Sequence, residues 1–324
     1  MRIVVVGAGA VGQFYGAQLI LAGHALRFVA RRDLERLRTS GLRVVQSPTP
    51  QVASTLRAAE LRIAPADFLA TDDPAAAAAG GADWCLLATK AGALPEAERL
   101  CGPAVAAGAR LATLINGLGV EEQLSRWCPP ERLFGVLCFV CINRDDDGTV
   151  RHLAHGRVGV GHWRDEAAAR RELAALWRSA GIEASEPSCL REARWRKLAW
   201  NVPFNGLSVA GGLPGRGTQA ILADPALRAR AERLMREVIR IGNADLAAHG
   251  HAARIDEEAW VAEQFRLTEE MGDYLTSTLL DLRAGRPLEL ETLFLEPWRR
   301  AQRLGCAATE LARLIAELPA GRPC

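Results

Sequence analysis

No apolar stretch in this chain approaches the roughly 20 residues that a bilayer-crossing helix needs, so a helical membrane protein is not expected. Nor is either charge in excess: 40 Lys and Arg face 38 Asp and Glu, and a net charge of +2 supplies no long-range field for holding nucleic acid. The cysteines, at 85, 101, 128, 138, 141, 189, 306 and 324, lack the dense spacing of a disulfide scaffold, and reduced thiols are expected. Cys138 and Cys141 form one CxxC pair, but no second Cys or His pair completes a metal site. Their surroundings, LFGVLCFVCI, read as a buried strand with the two thiols on opposite faces. His152, His155 and His162 have no carboxylate or Cys at ligand spacing, so they read as partly exposed strand residues and no metal is expected. The opening apolar run breaks at Gly7, which argues against an export signal and for a cytoplasmic location. No internal repeat is visible, and the alanine run at 75–79 reads as helix.

What is present is enough apolar sequence for two cores. A chain of 324 residues suits two domains of roughly 150 each. In the first part, short apolar runs (RIVVV, LRFVA, WCLLAT, RLATLIN, LFGVLCFV) alternate with helix-like stretches, the rhythm of βαβ units. Residues 42–64 read as additional extended segments, and 149–161 as a hairpin on the sheet's edge. From about Pro187 the pattern is helical throughout, and Asp224-Pro225 is a good helix start. The expected architecture is an α/β N-terminal Rossmann-like domain with a mostly parallel sheet over residues 1–187, plus an all-α C-terminal domain over 188–324. Apolar faces of the helical domain can pack internally or against another subunit, so a homodimer stays open.

The turn Gly7-Ala8-Gly9-Ala10-Val11-Gly12 follows a strand and opens a helix, the context in which such a motif binds a dinucleotide. The first glycine permits the turn, the second lets backbone approach a pyrophosphate, and the third lets helix pack on strand. At the end of the second strand an acidic residue would bond the ribose hydroxyls of NAD; LRFVARRD instead places Arg31 and Arg32 there, which favours a 2′-phosphate and NADPH. Asp33 is the alternative, an acidic ribose ligand displaced by a residue or two. Lys90, after a strand, reads either as a ligand for phosphate or ribose or as a surface lysine.

Lys197, Asn201 and Asn205 recur at i, i+4 and i+8, aligning one ammonium and two carboxamides on a helix face. Hydride arrival at a ketone carbon builds charge on its oxygen, and Lys197 can supply both countercharge and proton. Pro203 is expected to kink or restart this helix.

Together, GAGAVGQFYG, ATKAG, INGLG, REARWRKLAWNVPFNGLS and STLLDLRAGRPLELE resemble the ketopantoate reductase family, in the family's order and over nearly the whole chain. The resemblance implies NADPH-dependent reduction of ketopantoate to pantoate on the route to pantothenate and coenzyme A. It implies Lys197 as general acid, Glu289 as the active-site glutamate, and Asn116, Asn201, Asn205 and Ser277 as substrate ligands. Asn116 and Glu289 also join Lys90, Arg31 and the glycine turn among the residues expected around the cofactor. Taken as residues alone, Glu289 also suits a helix start and Asn116 a turn. After Glu289 the family continues with isoleucine, aspartate and then Asn-Gly, whereas this chain reads LETLFLEP, and Phe294 is expected to reshape the pocket. The rival readings are a reductase of another 2-oxo or β-keto acid and an NADPH-sensing protein without turnover.

Overall fold

In the first strand, β1 (Arg2–Val6), Ile3 and Val5 join one apolar cluster while Val4 and Val6 join another. Successive side chains leave a strand on opposite faces, so an unbroken aliphatic run marks a strand covered on both sides. The structure is a computed structural model that describes residues 1–46 and 58–319. The chain folds as two units, Met1–Ile115 with Val120–Leu190, and Asn116–Gly119 with the residues from Arg191 onward.

The first unit continues through α1 (Ala10–Leu21), β2 (Ala25–Val29), α2 (Leu34–Ser40), β3 (Leu42–Gln46), β4 (Glu60–Ile63), β5 (Leu69–Thr71), α3 (Pro74–Ala78) and β6 (Trp84–Leu87). It closes with α4 (Ala97–Ala106), β7 (Arg110–Thr113), α5 (Val120–Leu124), β8 (Leu133–Arg144), β9 (Val150–His162), α6 (Ala167–Ser179) and β10 (Ala184–Ser185). Its sheet has the order β4-β3-β9-β8-β7-β6-β1-β2-β5, with β10 paired to β9. Among the described residues every pairing is parallel except β3 with β4 and β8 with β9. Phe14 and Tyr15 of α1 and Leu173 and Trp177 of α6 cover one face; Ala77 of α3, Leu100 of α4 and Leu124 of α5 cover the other. This is the Rossmann-like α/β arrangement expected from the alternating pattern.

The 149–161 segment does form a hairpin arm, but not at the edge: β9 lies between β3 and β8. The edge belongs to β4, in the 42–64 stretch, of which residues 47–57 lie outside the described residues. Because β9 is paired on both sides, His152 and His162 are fully buried rather than partly exposed, and only His155 is intermediate. His152 stacks on Phe14 at 4.8 Å and donates from Nε2 to the His155 carbonyl at 2.7 Å. Cys138 lies in the cluster against which Val140 and Ile142 pack, while Cys141 falls outside it. The described cysteines are all free; Cys324 lies outside the described residues. No described helix is long and apolar enough to cross a membrane.

The second unit contains α7 (Leu190–Val209, its first residue counted with the other unit), α8 (Thr218–Ala223), α9 (Pro225–Ala248), α10 (Glu257–Glu270) and α11 (Ser277–Arg283). A π-helical turn (Glu291–Leu295), α12 (Glu296–Leu304) and α13 (Thr309–Glu317) follow. Asp224 caps α9 as expected, its Oδ1 accepting from the backbone N–H of Ala226 at 2.8 Å and of Leu227 at 3.2 Å. Of the kink or restart expected at Pro203, the restart is corrected: α7 is one helix that runs through it. Proline removes one N–H, but Val202, Phe204 and Leu207 around it are fully buried and hold the segment in the core.

Trp195 of α7 rests on Gly242 of α9, where a Cβ would come within 2.9 Å of the ring. Its Nε1 donates to Asp245 at 2.8 Å, and Arg191 and Arg300 donate to the same carboxylate at 3.0 and 3.1 Å. Burial opposes the Asp245 charge, but Arg300, the indole N–H and Arg191 prevail and hold its carboxyl below the usual range. Phe294 is also fully buried in this core. Its bulk therefore fills the helical interior.

Candidate active site

The glycine turn begins where β1 ends. Gly7 has φ +99° and its N–H donates to the Val29 carbonyl at 3.0 Å, which ties the turn to the end of β2. A Cβ on Gly12 would stand 2.1 Å from the Gly7 carbonyl oxygen, so the third glycine of the motif is required for the turn to close. Gly9, the N-cap of α1, has nothing within 4 Å of where a Cβ would stand, and the first turn of α1 carries no acidic residue. Backbone open to a ligand, at the positive end of a 12-residue helix, suits a pyrophosphate. Ala8, Ala10 and Val11 complete the turn, and the Ala8 carbonyl accepts from Gln13 Nε2 at 2.6 Å.

Arg31 and Arg32 follow β2 and are exposed; Arg31 lies 3.6 Å from Glu96 in an ion pair whose arginine side chain is 66% exposed. Such a pair is readily exchanged for a bound anion. Asp33 is differently placed: Arg36 lies 3.7 Å from one of its oxygens and Arg144 donates to the other. An aspartate engaged on both oxygens is a poor candidate for the ribose ligand. Lys90 is exposed at the start of a tight turn, Ala91–Glu96, that follows β6.

In the second unit, Lys197 Nζ donates to Asn116 Oδ1 at 2.6 Å. Asn116 opens the Asn116–Gly119 segment, where Gly117 has φ +95° and the Leu118 N–H donates to the Thr292 carbonyl at 2.9 Å. The π-helical turn that carries Thr292 thus fixes the loop that carries Asn116. Turns of this kind interrupt the regular ladder and are frequent at functional sites. Asn201 and Asn205 lie one and two turns beyond Lys197 and are 7% and 4% exposed, so their carboxamides are set in the unit's interior. Ser208 Oγ joins Asn205 to α11, donating to the Asn205 carbonyl at 2.8 Å and bonding Thr276 Oγ1 at 2.7 Å. Ser277, the next residue, opens α11 and is exposed, and Glu289 is half-buried in the turn before the π-helical segment.

The structure therefore brings Lys197 and Asn116 into contact and sets both asparagines on the lysine's helix. Sequence reasoning missed Gln13, Arg144 and Thr292. Gln13 had a signal, since it follows the glycine motif directly; Arg144 had none, lying 111 residues from its partner Asp33.

Residues 3–165 match the family described as ketopantoate reductase PanE/ApbA, and residues 190–320 match the description of its C-terminal part. A 2-dehydropantoate 2-reductase from Nostoc sp. is 29% identical over 327 residues, covering 98% of this chain and 94% of its own. The crystal structure of a 2-dehydropantoate 2-reductase from Geobacter metallireducens is similar with a TM-score of 0.86 at 34% identity, covering 98% of this chain and 99% of that one. A ternary structure of D-mandelate dehydrogenase with NADH and anilino(oxo)acetate reaches a TM-score of 0.84 at 18% identity, with 98% and 96% covered; at that identity the likeness is one of fold.

Proposed function

This chain belongs to the ketopantoate reductase family and is an oxidoreductase; from that premise we propose that it reduces 2-dehydropantoate to pantoate with NADPH, a step of pantothenate and coenzyme A biosynthesis in the cytoplasm. The observation that carries this reading is the Lys197–Asn116 hydrogen bond at 2.6 Å, on a helix that also bears Asn201 and Asn205.

A bound reduced nicotinamide supplies the hydride to the ketone carbon. Residues of the glycine turn from Gly7 to Gly12 hold the pyrophosphate, and Arg31, with Lys90 nearby in role, meets the phosphate and ribose groups. Lys197 gives its proton to the substrate's oxygen as charge builds there, turning the ketone into a secondary alcohol. The Asn116 carboxamide oxygen accepts from the ammonium without competing for its proton and so aims it. Asn201, Asn205 and Ser277 bond the polar groups of a small 2-oxo acid, and Glu289 accepts from its hydroxyl. Residues 1–187 act as the cofactor domain and 188–324 as the substrate domain.

The deciding assay follows NADPH absorbance with purified protein and a panel of 2-oxo and β-keto acids. Preferred turnover of 2-dehydropantoate is the expected result. Faster turnover of another acid would replace the substrate, and tight NADPH binding with no oxidation by any acid would replace the enzyme by a sensor.

A further inference from the structure

One guanidinium wires the glycine turn to the far end of β8. Arg144, the last residue of that strand, donates through Nη1 to the Asp33 carboxylate and stands 3.5 Å from the Ala8 carbonyl. Arg36 closes on Asp33 from α2 at 3.7 Å and donates through Nη2 to Gln13 Oε1 at 2.9 Å. Gln13 in turn donates to the same Ala8 carbonyl, so Asp33, both arginines, Gln13 and the glycine turn form one connected polar clamp. The clamp is shielded: the Asp33 side chain is 17% exposed and those of Arg36 and Arg144 are 21% and 32% exposed.

We propose that Arg144, with Arg36, determines the dinucleotide preference by keeping the Asp33 carboxylate engaged, so that it neither bonds a ribose 2′-hydroxyl nor repels a 2′-phosphate. The inference rests on the dinucleotide reading above. A carboxylate just past the second strand is the feature that selects NADH, since it accepts from the free hydroxyls and repels the phosphate. This chain has such a carboxylate, two residues beyond Arg31. Two guanidiniums on one carboxylate leave the clamp with a net positive charge, and Arg31 and Arg32 add to it. Selectivity is a difference of affinities, and removing a repulsive group from the preferred ligand's path acts in the same direction as adding an attractive one. Breaking the clamp at Arg144 would leave a part-buried carboxylate short of a partner beside the phosphate site.

Titration calorimetry on the ligand-free protein, with NADPH, NADH and 2′,5′-ADP as probes, tests this directly. Arg144→Gln is expected to lower the NADPH-to-NADH affinity ratio by about 10-fold or more, the scale of one charge-assisted hydrogen bond. It should weaken 2′,5′-ADP binding in parallel. Adding Asp33→Asn to Arg144→Gln should restore most of the ratio, because the uncovered charge is then absent. If Arg144 only braces the turn, both dinucleotides weaken equally, the ratio holds and Asp33→Asn rescues nothing; that result overturns the inference while leaving the cofactor reading intact. Wild-type protein that binds neither dinucleotide, or prefers NADH, overturns both. Should Arg144→Gln not fold, Arg144→Lys keeps a charge without the planar fork and reads the same ratio, with a smaller loss expected and an unchanged ratio again counting against the idea.

Discussion

The ammonium of Lys197 and the side-chain oxygen of Asn116 meet at 2.6 Å across 81 residues of sequence. The contact joins a helix to a glycine-bent loop, and it gives the proposed proton donor a fixed direction. Lys197→Ala is expected to lower kcat by about 10²–10⁴-fold, the usual worth of a general acid. Lys197→Arg should not rescue, because a guanidinium is planar and keeps its proton. Steady-state rates near wild type in either variant would eliminate Lys197 as the acid.

Gly117 tests the loop that presents Asn116. Its φ is +95°, and a Cβ there would stand 2.5 Å from both the Thr292 Cβ and the Thr292 carbonyl oxygen. Gly117→Ala must move either the loop or the π-helical turn. A stability loss of about 1–3 kcal/mol in urea denaturation is expected from the backbone strain alone, together with a fall in kcat as Asn116 leaves Lys197. A variant with unchanged midpoint and unchanged kcat would show that the Gly117–Thr292 packing does not matter.

Arg31→Ala separates recognition from folding. Its ion pair with Glu96, at 3.6 Å, is solvent-exposed, so stability should change by about 0.5 kcal/mol or less. The preference for NADPH over NADH should fall by about 10- to 100-fold if one charged hydrogen bond to the 2′-phosphate is lost. Measured kcat/KM for the two cofactors decides it, and an equal ratio in variant and wild type would remove Arg31 from the site.

The first unit carries a pH dependence of its own. Burial pushes the His152 imidazole down from its ordinary value near 6.5, against the opposing hydrogen bond to the His155 carbonyl, and burial followed by the Arg157 charge does the same to His155. Below about pH 6.5 the unfolded chain therefore binds protons that the folded chain does not, and stability declines as pH falls toward the lowered folded values, by up to about 1.4 kcal/mol per pH unit for each group. Above that range the stability is fully present. Urea denaturation between about pH 7.5 and 5.5 should show the decline, with a shallower slope in His152→Gln. Superimposable slopes would mean that His152 is not the group responsible.

Much of this protein could be read from its residues in order. The glycine turn, the Asp224 cap, the alternating strands and the alignment of Lys197, Asn201 and Asn205 are all set by neighbours within about one or two turns of chain, where sterics and hydrogen-bond geometry leave few choices. The exposed pair Arg31 and Arg32 belongs with them, since its place follows from where β2 ends.

Other features needed the folded chain. That β9 lies inside the sheet, that α7 continues through Pro203, and that Phe294 is core material depend on which distant segments supply strand partners and apolar cover. The same holds for the pairing of Lys197 with Asn116 and of Asp33 with Arg144: a contact between residues far apart in sequence is decided by the packing of whole elements. The amino-acid order by itself determined the parts of a dinucleotide-dependent reductase and the helix that carries its proposed acid. Only the tertiary structure decided that Asn116 meets Lys197 and that Arg144 meets Asp33 beside the glycine turn, since both contacts depend on close packing between segments far apart in the chain.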